Sequence, residues 1–262
     1  MHSDNKFPHN RRKLVSKYEG DFEMKVMSYN IQHGVGLDNQ LSLERIATVI
    51  KESEAEIIAL QEVDRYYGER SNFEDQAQRL GELLHFHYRY GANLQFAPAA
   101  GHTEKQEYGT AILSKHPIIE AENSLLTSLG EEQRGVLRAK IDVNGVWLHI
   151  FNTHLGLDTS GRIAQVQELI AITSAYQGPK VLVGDFNTNA ASEELQLLVN
   201  QTDFVDNFQH VDHIPTYIGE EPQERIDYIF TSSDITFCNQ QVLDCEGSDH
   251  LPIVSDLQVN KF

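Results

Sequence analysis

The chain carries the stretch Val181-Leu182-Val183-Gly184-Asp185-Phe186-Asn187, in which a short apolar run leads into two polar residues. The apolar run predicts a short buried strand. Asp185 and Asn187 are two residues apart, so in an extended segment their side chains would share one face and enter one cavity. A carboxylate there can orient or deprotonate water, and an amide can stabilise developing negative charge. Turn formation alone would also account for both residue types.

Polar side chains follow other short apolar strands in the same way. Asn30 ends Met27-Ser28-Tyr29-Asn30, Glu62 ends Ile58-Ala59-Leu60-Gln61-Glu62, and His154 follows Phe151-Asn152-Thr153. Each one alone has a structural explanation, because polar residues tolerate the turns that follow strands. Brought to one edge of a sheet, they would place several polar groups around a single point.

Apolar periodicity elsewhere predicts alternating strands and helices. Helical spacing joins Leu43 to Ile50, and further helices are expected over residues 74–84, after Gly161 with Ser160 as a possible N-cap, and from Ser192. Further strands are expected over residues 24–29, 57–60, 88–96, 109–113, 136–143, 146–152, 226–230, 235–237 and 253–257, those in the middle of the chain as a β-meander. The pattern indicates an α/β fold of two packed sheets flanked by helices.

The chain is long enough for one large domain, which we expect over residues 24–262 after a flexible tail over residues 1–23. No apolar segment resembles a signal peptide or a membrane span, so we expect a cytoplasmic protein without integral membrane association. The two cysteines, Cys238 and Cys245, are too few for a disulfide framework or a four-ligand zinc site.

The net charge of −18, from 21 basic and 39 acidic residues, repels polyanions. A duplex nucleic acid is therefore a less favoured partner, since such binders normally present a basic patch. A nuclease is not excluded, because bound divalent cations can reverse the local field of a carboxylate-rich site.

Oxygen ligands cluster after the second predicted strand, where Gln61, Glu62 and Asp64 stand together. Carboxylate and amide oxygens suit a hard cation such as Mg²⁺ or Mn²⁺. For Asp64, a solvated charge run is an equally good explanation.

Two further acidic residues accompany a histidine. In Ser248-Asp249-His250 a carboxylate adjoins an imidazole, a combination that can hold one tautomer and raise the pKa of the histidine. With 12 histidines in the chain, such a pair can also occur by chance. Asp227 interrupts an apolar strand pattern and so needs a partner or a metal if buried. An ion pair with Arg225 is the alternative.

Taken in order, these motifs resemble those of the endonuclease/exonuclease/phosphatase superfamily. The resemblance extends from about Met24 to Leu257. The motifs that carry the resemblance are Tyr29-Asn30, Leu60-Gln61-Glu62, Tyr108-Gly109, Asn152-Thr153-His154, Gly184-Asp185-Phe186-Asn187, Arg225-Ile226-Asp227-Tyr228 and Ser248-Asp249-His250. The resemblance implies a four-layer α/β sandwich, with two mostly antiparallel β-sheets flanked by helices and a site at one end of the sheets.

The resemblance also implies residue roles. Asn30 and Glu62 would hold the metal, with Asp249 nearby, and Tyr108 and His154 would contact the phosphate. Asp185 would orient or deprotonate water, Asn187 would stabilise the transition state, and Asp227 would tune His250 or act on the leaving-group side. The resemblance leaves open whether Asp185 or His250 is the general base.

Three further residues are candidates for substrate binding. Arg70 and Arg134 look like positions of the bacterial small-protein branch of the superfamily, and a guanidinium can bind phosphate through two hydrogen bonds. Surface pairs with Glu69 and Glu132 are equally good explanations. His33 is either a site-lining residue or an ordinary loop histidine.

The leading interpretation is a metal-dependent hydrolase of a phosphodiester or phosphomonoester that is small or lipid-linked. The alternatives are a nuclease with the same chemistry and an inactive binding module with the same fold. The sequence does not indicate an oligomeric state.

Overall fold

The computed structural model describes residues 22–211, 214–219 and 223–259. The strands are β1 (Phe22–Asn30), β2 (Ile57–Arg65), β3 (His87–Phe96), β4 (Gln106–Ser114), β5 (Ile118–Leu125), β6 (Gly135–Val143), β7 (Val146–His154), β8 (Lys180–Asp185), β9 (Val205–Asp206), β10 (Asp227–Thr231), β11 (Ile235–Val242) and β12 (Ile253–Val259). The helices are α1 (Leu43–Ser53), α2 (Gln76–Leu84), α3 (Thr159–Ser174) and α4 (Glu193–Gln201), with short 3-10 helices at Gln32–Gly34 and Glu69–Ser71.

These strands form two six-stranded sheets, ordered β11-β12-β1-β2-β4-β3 and β5-β6-β7-β8-β10-β9. Each sheet contains one parallel pair, β1 with β2 and β7 with β8, and its other neighbours are antiparallel. The predicted pair of mostly antiparallel sheets is confirmed.

Three apolar layers hold four structural layers together. The inner faces of the two sheets pack on each other through side chains such as Val26, Ile112, Ile150 and Ile229. Helices α1 and α2 cover the outer face of the first sheet, and α3 and α4 cover that of the second. The four-layer α/β sandwich is therefore confirmed. No helix in the described part of the chain is both long and apolar enough to cross a membrane.

Several local predictions differ from the structure. Helix α2 begins at Gln76 because Asp75 caps it, two residues after the expected start. Helix α3 is capped by Asp158, and Ser160, the expected cap, lies inside the helix and donates to that carboxylate. The expected meander divides between the sheets, with β3 and β4 in the first and β5, β6 and β7 in the second.

The first strand begins at Phe22, two residues before the expected start. Residues 1–21, for which a flexible tail was expected, lie outside the described residues. Strand β5 has few buried side chains and β9 has two residues, so neither produced an apolar signal.

The parallel pairs bring the ends of β1, β7 and β8 to one end of the sandwich, where β10 begins. Close approach of β7 and β8 depends on Gly184, whose φ is 149°. A Cβ at this position would lie 2.0 Å from the Thr153 carbonyl oxygen. Glycine thus permits the pairing that sets His154 beside Asp185.

Candidate active site

Asp185 lies at the centre of a buried polar cluster at this end. Its Oδ2 atom accepts a hydrogen bond from Asn30 Nδ2 at 3.0 Å. The same oxygen lies 3.4 Å from His154 Nε2 and 3.7 Å from His250 Nε2. Burial raises the pKa of Asp185 to about 7, against the opposing effect of His250. The carboxyl can therefore exchange a proton near neutral pH.

His250 is held by a second carboxylate. Its Nδ1 donates to Asp227 Oδ2 at 2.9 Å, and both side chains are buried. Burial lowers the pKa of His250, but the charges of Asp227 and Asp185 outweigh it and raise this pKa to about 10. Arg225, the alternative partner of Asp227, instead pairs with Asp206 at 2.7 Å. The predicted link between Asp227 and His250 is present.

Arg134 fixes the proton position on His154. The guanidinium donates from Nη1 to His154 Nδ1 at 3.0 Å, which leaves Nε2 to carry the imidazole proton towards Asp185. Burial first, and then the charges of Arg134 and His250, lower the pKa of His154 well below its usual value. His154 is a neutral hydrogen-bond donor at this site. The guanidinium of Arg134 also pairs with Glu132 at 3.1 Å, but is itself buried rather than on the surface.

Glu62 lies within β2, not at its end. A break in register between Leu60 and Val63 marks a β-bulge, and Glu62 has a φ of 56° there. The bulge turns its side chain towards Asn30, whose Nδ2 donates to Glu62 Oε1 at 3.1 Å. The Asn30 carbonyl oxygen accepts from the Gln32 amide at 3.1 Å.

Glu62 is a carboxylate of the kind that hard cations prefer, and Asp249 lies near enough for its charge to act on it. Burial raises the pKa of Glu62, and the charge of Asp249 adds to this effect, while Asn30 opposes it. A cation beside these carboxylates would offset both the cost of burying the Glu62 charge and its repulsion by Asp249. A second group exists: Asp185, Asp227 and His250 bring one ligand atom each within 4.8 Å of one another. In that group, His250 Nδ1 and Asp227 Oδ2 are already hydrogen-bonded to each other, whereas Asp227 Oδ1 is buried and, within the described residues, has no hydrogen-bond partner.

Asn187 differs from the extended arrangement expected for it. Its φ is 51°, so the backbone turns after Asp185 instead of continuing as a strand. Its backbone N–H donates to Asp185 Oδ1 at 2.9 Å, and its side-chain amide donates to the Leu155 carbonyl oxygen at 2.9 Å. Asn187 therefore holds the Asp185 carboxylate and the loop after β7 in place.

Tyr108 and Arg70 lie at the edge of the cluster. Burial raises the pKa of Tyr108 well above its usual value, with the charge of Glu62 next, so the phenol keeps its proton. The Arg70 guanidinium lies 5.6 Å from the Tyr108 ring and 3.9 Å from the Tyr67 ring. It donates twice to Asp64, at 2.7 and 2.8 Å. Asp64 is fully buried, so of its two interpretations the solvated charge run is wrong.

His33 lies in the turn after β1 with a φ of 45°. Its carbonyl oxygen accepts from Gln76 Nε2 at 2.6 Å. Burial lowers its pKa, followed by the charge of Arg70. Within the described residues, its Nδ1 is buried and has no hydrogen-bond partner.

Comparison with known proteins identifies the family of the chain. The model of the endonuclease/exonuclease/phosphatase family matches residues 27–250. The chain belongs to that family.

Individual known proteins are similar to this chain over most of its length. The uncharacterized protein YbhP of Escherichia coli K12 is 30% identical over 177 residues, which cover 63% of this chain and 67% of YbhP. An endonuclease/exonuclease/phosphatase from Beutenbergia cavernae superposes with a TM-score of 0.78 at 23% identity, covering 91% of this chain and 72% of that one. The mannosyl-6-phosphatase Bt3783 of Bacteroides thetaiotaomicron has a TM-score of 0.68 at 19% identity, over 89% and 99% of the two chains.

Further residues hold the surroundings of the site in place. Asn152 connects the two sheets by accepting from Gln61 at 2.7 Å and donating to the carbonyls of Leu60 and Ala111. Thr216 accepts from the backbone of Asp227 at 3.1 Å, and the Tyr217 ring lies 5.0 Å from the His250 ring. Asn152 and Gln61 stood in the quoted motifs, whereas Thr216 and Tyr217 lie in a loop without a sequence signal.

Proposed function

We propose that this family member hydrolyses a phosphodiester or phosphomonoester by attack of a positioned water molecule, with a divalent cation as cofactor. The observation that carries the proposal is the convergence of Asn30, His154 and His250 on one oxygen of Asp185. A buried carboxyl surrounded by hydrogen-bond donors is suited to hold water and an anionic group together.

The proton roles follow from the two pKa values. Asp185, with a pKa of about 7, is suited to accept the proton of the attacking water. His250 is protonated beside Asp227, so it is suited to donate to the leaving-group oxygen or to neutralise the phosphoryl group. Asp185 is thus our choice of general base, and Asp227 positions His250.

Glu62, Asn30 and Asp249 would hold Mg²⁺ or Mn²⁺. Asn30 donates to Glu62 and Asp185 through Nδ2, so its contribution to an ion would be the amide oxygen, which accepts from the Gln32 amide. When bound, such an ion neutralises charge on the phosphoryl oxygens. Tyr108, His154 and Arg134 would contact the phosphate, and Asn187 would hold Asp185 in place. Arg70 and His33 would lie further from the phosphate.

A compact or lipid-linked ester is the substrate class we favour. The net charge of −18 opposes binding along a duplex. The segment 97–107, which comprises the β3–β4 loop and the first two residues of β4, contains one lysine, Lys105, against two glutamates. A mannosyl-6-phosphatase with this fold supports a phosphomonoester of a small molecule as one member of the class.

The test is hydrolysis of p-nitrophenyl phosphate and bis(p-nitrophenyl) phosphate with Mg²⁺ or Mn²⁺, and again with EDTA. EDTA should abolish turnover, and Asp185→Asn and His250→Ala should each lower kcat at least about 100-fold. Asp206→Asn, which changes a carboxylate paired with Arg225, is the control. If Asp185→Asn kept a native circular dichroism spectrum and lost less than about tenfold in kcat, the role proposed for Asp185 would be refuted.

Plasmid nicking at physiological ionic strength distinguishes a nuclease from a hydrolase of small or lipid-linked esters. Efficient nicking that falls steeply with salt, without turnover of either small ester, would favour a nuclease. Absence of any hydrolysis with any divalent cation would favour the inactive binding module.

A further inference from the structure

Arg70 presents an unused hydrogen-bonding edge beside the catalytic cluster. Its Nε and Nη2 atoms donate to the two oxygens of Asp64 at 2.8 and 2.7 Å, so one edge of the guanidinium is occupied. The other edge consists of Nη1 and the second proton of Nη2, and within the described residues it has no hydrogen-bond or ion-pair partner. Two parallel N–H groups of this kind match the oxygens of a carboxylate or a phosphate.

Burial of the ion pair shows which edge of the guanidinium faces outward. The Asp64 side chain is fully buried, whereas that of Arg70 is 39% exposed. The carboxylate therefore lies behind the guanidinium, and the free edge faces solvent. Arg79 has a similar exposure of 42%, but its partner Glu44 is itself on the surface, so neither side chain of that pair is fixed.

The segment that carries Arg70 is held in one conformation. The guanidinium carbon of Arg70 lies 3.9 Å from the centre of the Tyr67 ring, which fixes the plane of the guanidinium. The Tyr67 carbonyl oxygen accepts from Gln106 Nε2, and the backbone N–H of Tyr66 donates to the Glu74 carbonyl oxygen at 2.9 Å. An anion at the free edge would therefore immobilise little that is not already ordered.

Neighbouring side chains place Arg70 next to the proposed phosphate position. The Arg70 guanidinium lies 5.6 Å from the centre of the Tyr108 ring. Burial is the largest cause that raises the pKa of Tyr108, and the charges of Arg134 and Arg70 both oppose it. Burial lowers the pKa of His33, followed by the charge of Arg70, while the charge of Asp249 opposes this shift. Arg70 is therefore within electrostatic reach of side chains that border the proposed phosphate and cation positions.

We propose that Arg70 binds a second oxyanion of the substrate, a phosphate or a carboxylate that is not part of the ester cleaved at Asp185. This inference rests on the proposed hydrolysis, and it narrows the substrate class to small phosphate esters with a second anionic group. Arg70 would determine specificity, because its free edge contacts a part of the substrate that does not react.

Directed hydrogen bonds, rather than net charge, would select the second group. Asp64 offsets the charge of Arg70, and the net charge of −18 repels anions at long range. Two N–H groups at a fixed separation favour a group that presents two oxygens together. A hydroxyl group offers a single oxygen and would gain less from this edge.

The experiment measures binding without turnover, by isothermal titration calorimetry of the Asp185→Asn chain in Mg²⁺. Two pairs of probes each differ by one anionic group. 3-Phosphoglycerate carries a carboxylate where glycerol 3-phosphate has a hydroxymethyl group, and fructose 1,6-bisphosphate carries a phosphate that fructose 6-phosphate lacks. In at least one pair, the probe with the second anion should bind about tenfold more tightly. The pair that shows this preference distinguishes a carboxylate from a phosphate.

Arg70→Gln should abolish the preference and change the Kd of the two singly anionic probes by less than about twofold. Arg79→Gln is the matched control and should keep the preference. Because Arg70→Gln leaves the buried charge of Asp64 unpaired, it can destabilise the fold. The double variant Asp64→Asn with Arg70→Gln removes that charge as well and should bind the probes as Arg70→Gln does.

Absence of a preference in both pairs while Arg70 is intact would overturn the proposal. Equal weakening of all four probes in the Arg70 variants, or loss of the preference in Arg79→Gln, would do the same. These titrations do not depend on hydrolysis of p-nitrophenyl esters. Hydrolysis without a preference would contradict the role of Arg70 alone, and a preference without hydrolysis would contradict the proposed reaction alone.

Discussion

The imidazole of His250 and the carboxylate of Asp227 form a buried pair, joined at 2.9 Å between Nδ1 and Oδ2. The other oxygen of Asp227 is buried and, within the described residues, has no hydrogen-bond partner. The charge of Asp227 is therefore directed at His250 and keeps that ring protonated and in one orientation.

Replacing Asp227 by Asn should lower kcat by about two orders of magnitude with little change in KM, because the pair positions a proton donor. Loss of the charge lowers the pKa of His250. The basic limb of the kcat profile should therefore move to lower pH. Steady-state kinetics from pH 5 to 10 would measure both, with Asp206→Asn as the matched control. An unmoved profile would mean that Asp227 has only a structural role.

The two candidate cation positions can be told apart by which variant loses the rise in melting temperature that the metal causes. Mg²⁺ or Mn²⁺ at about 100 times its Kd should raise the melting temperature by about 5 °C, since it binds only the folded chain. Glu62→Gln should lose this gain and Asp227→Asn should keep it. The reverse pattern, measured by differential scanning calorimetry, would place the ion among Asp185, Asp227 and His250.

Asn152 should be a determinant of stability because it joins the two sheets through three hydrogen bonds. Asn152→Ala leaves the buried amide of Gln61 with only its longer hydrogen bond, to the Ala59 carbonyl oxygen at 3.3 Å, and removes the donor to the Leu60 and Ala111 carbonyls. This change should lower the free energy of unfolding by about 2–4 kcal/mol. Asn200→Ala, at an exposed position in α4, should change it by less than about 0.5 kcal/mol. Urea denaturation would measure both, and similar values for the two would show that the inter-sheet bonds contribute little.

His149 predicts a loss of stability in acid. Burial lowers its pKa to about 4, with the charges of Arg138 and Lys140 next. Between the unfolded pKa of about 6.5 and this value, the unfolded chain binds a proton that the folded chain does not. The contribution of His149 is therefore complete above pH 6.5 and is lost as the pH falls towards 4.

The measurement is the free energy of unfolding of the unmodified chain and of His149→Gln at pH 7 and pH 5. The variant should show a smaller decrease between the two values. An identical decrease in both proteins would show that His149 is as accessible to protons when folded as when unfolded.

Much of the fold was predictable because its strands and helices bury regular apolar faces. The helix from Leu43 to Ile50 and the strand before Asp185 are examples, and both lie where expected. Strand β5 was not predictable, since an edge strand with exposed side chains has no apolar alternation. Its place is decided by pairing with β6.

The sequence alone determined which residue types are available to the site, because the motifs that carry Asn30, Glu62, Asp185 and His250 are local strings. It also determined the family, which the match over residues 27–250 bears out. Only the tertiary structure decided the partners. Asp227 pairs with His250, although Arg225 is nearer to it in sequence. Arg70 pairs with Asp64, although Glu69 is adjacent to it in sequence. A hydrogen bond depends on where two strands end relative to each other, and that position is set by sheet register and packing across the whole chain.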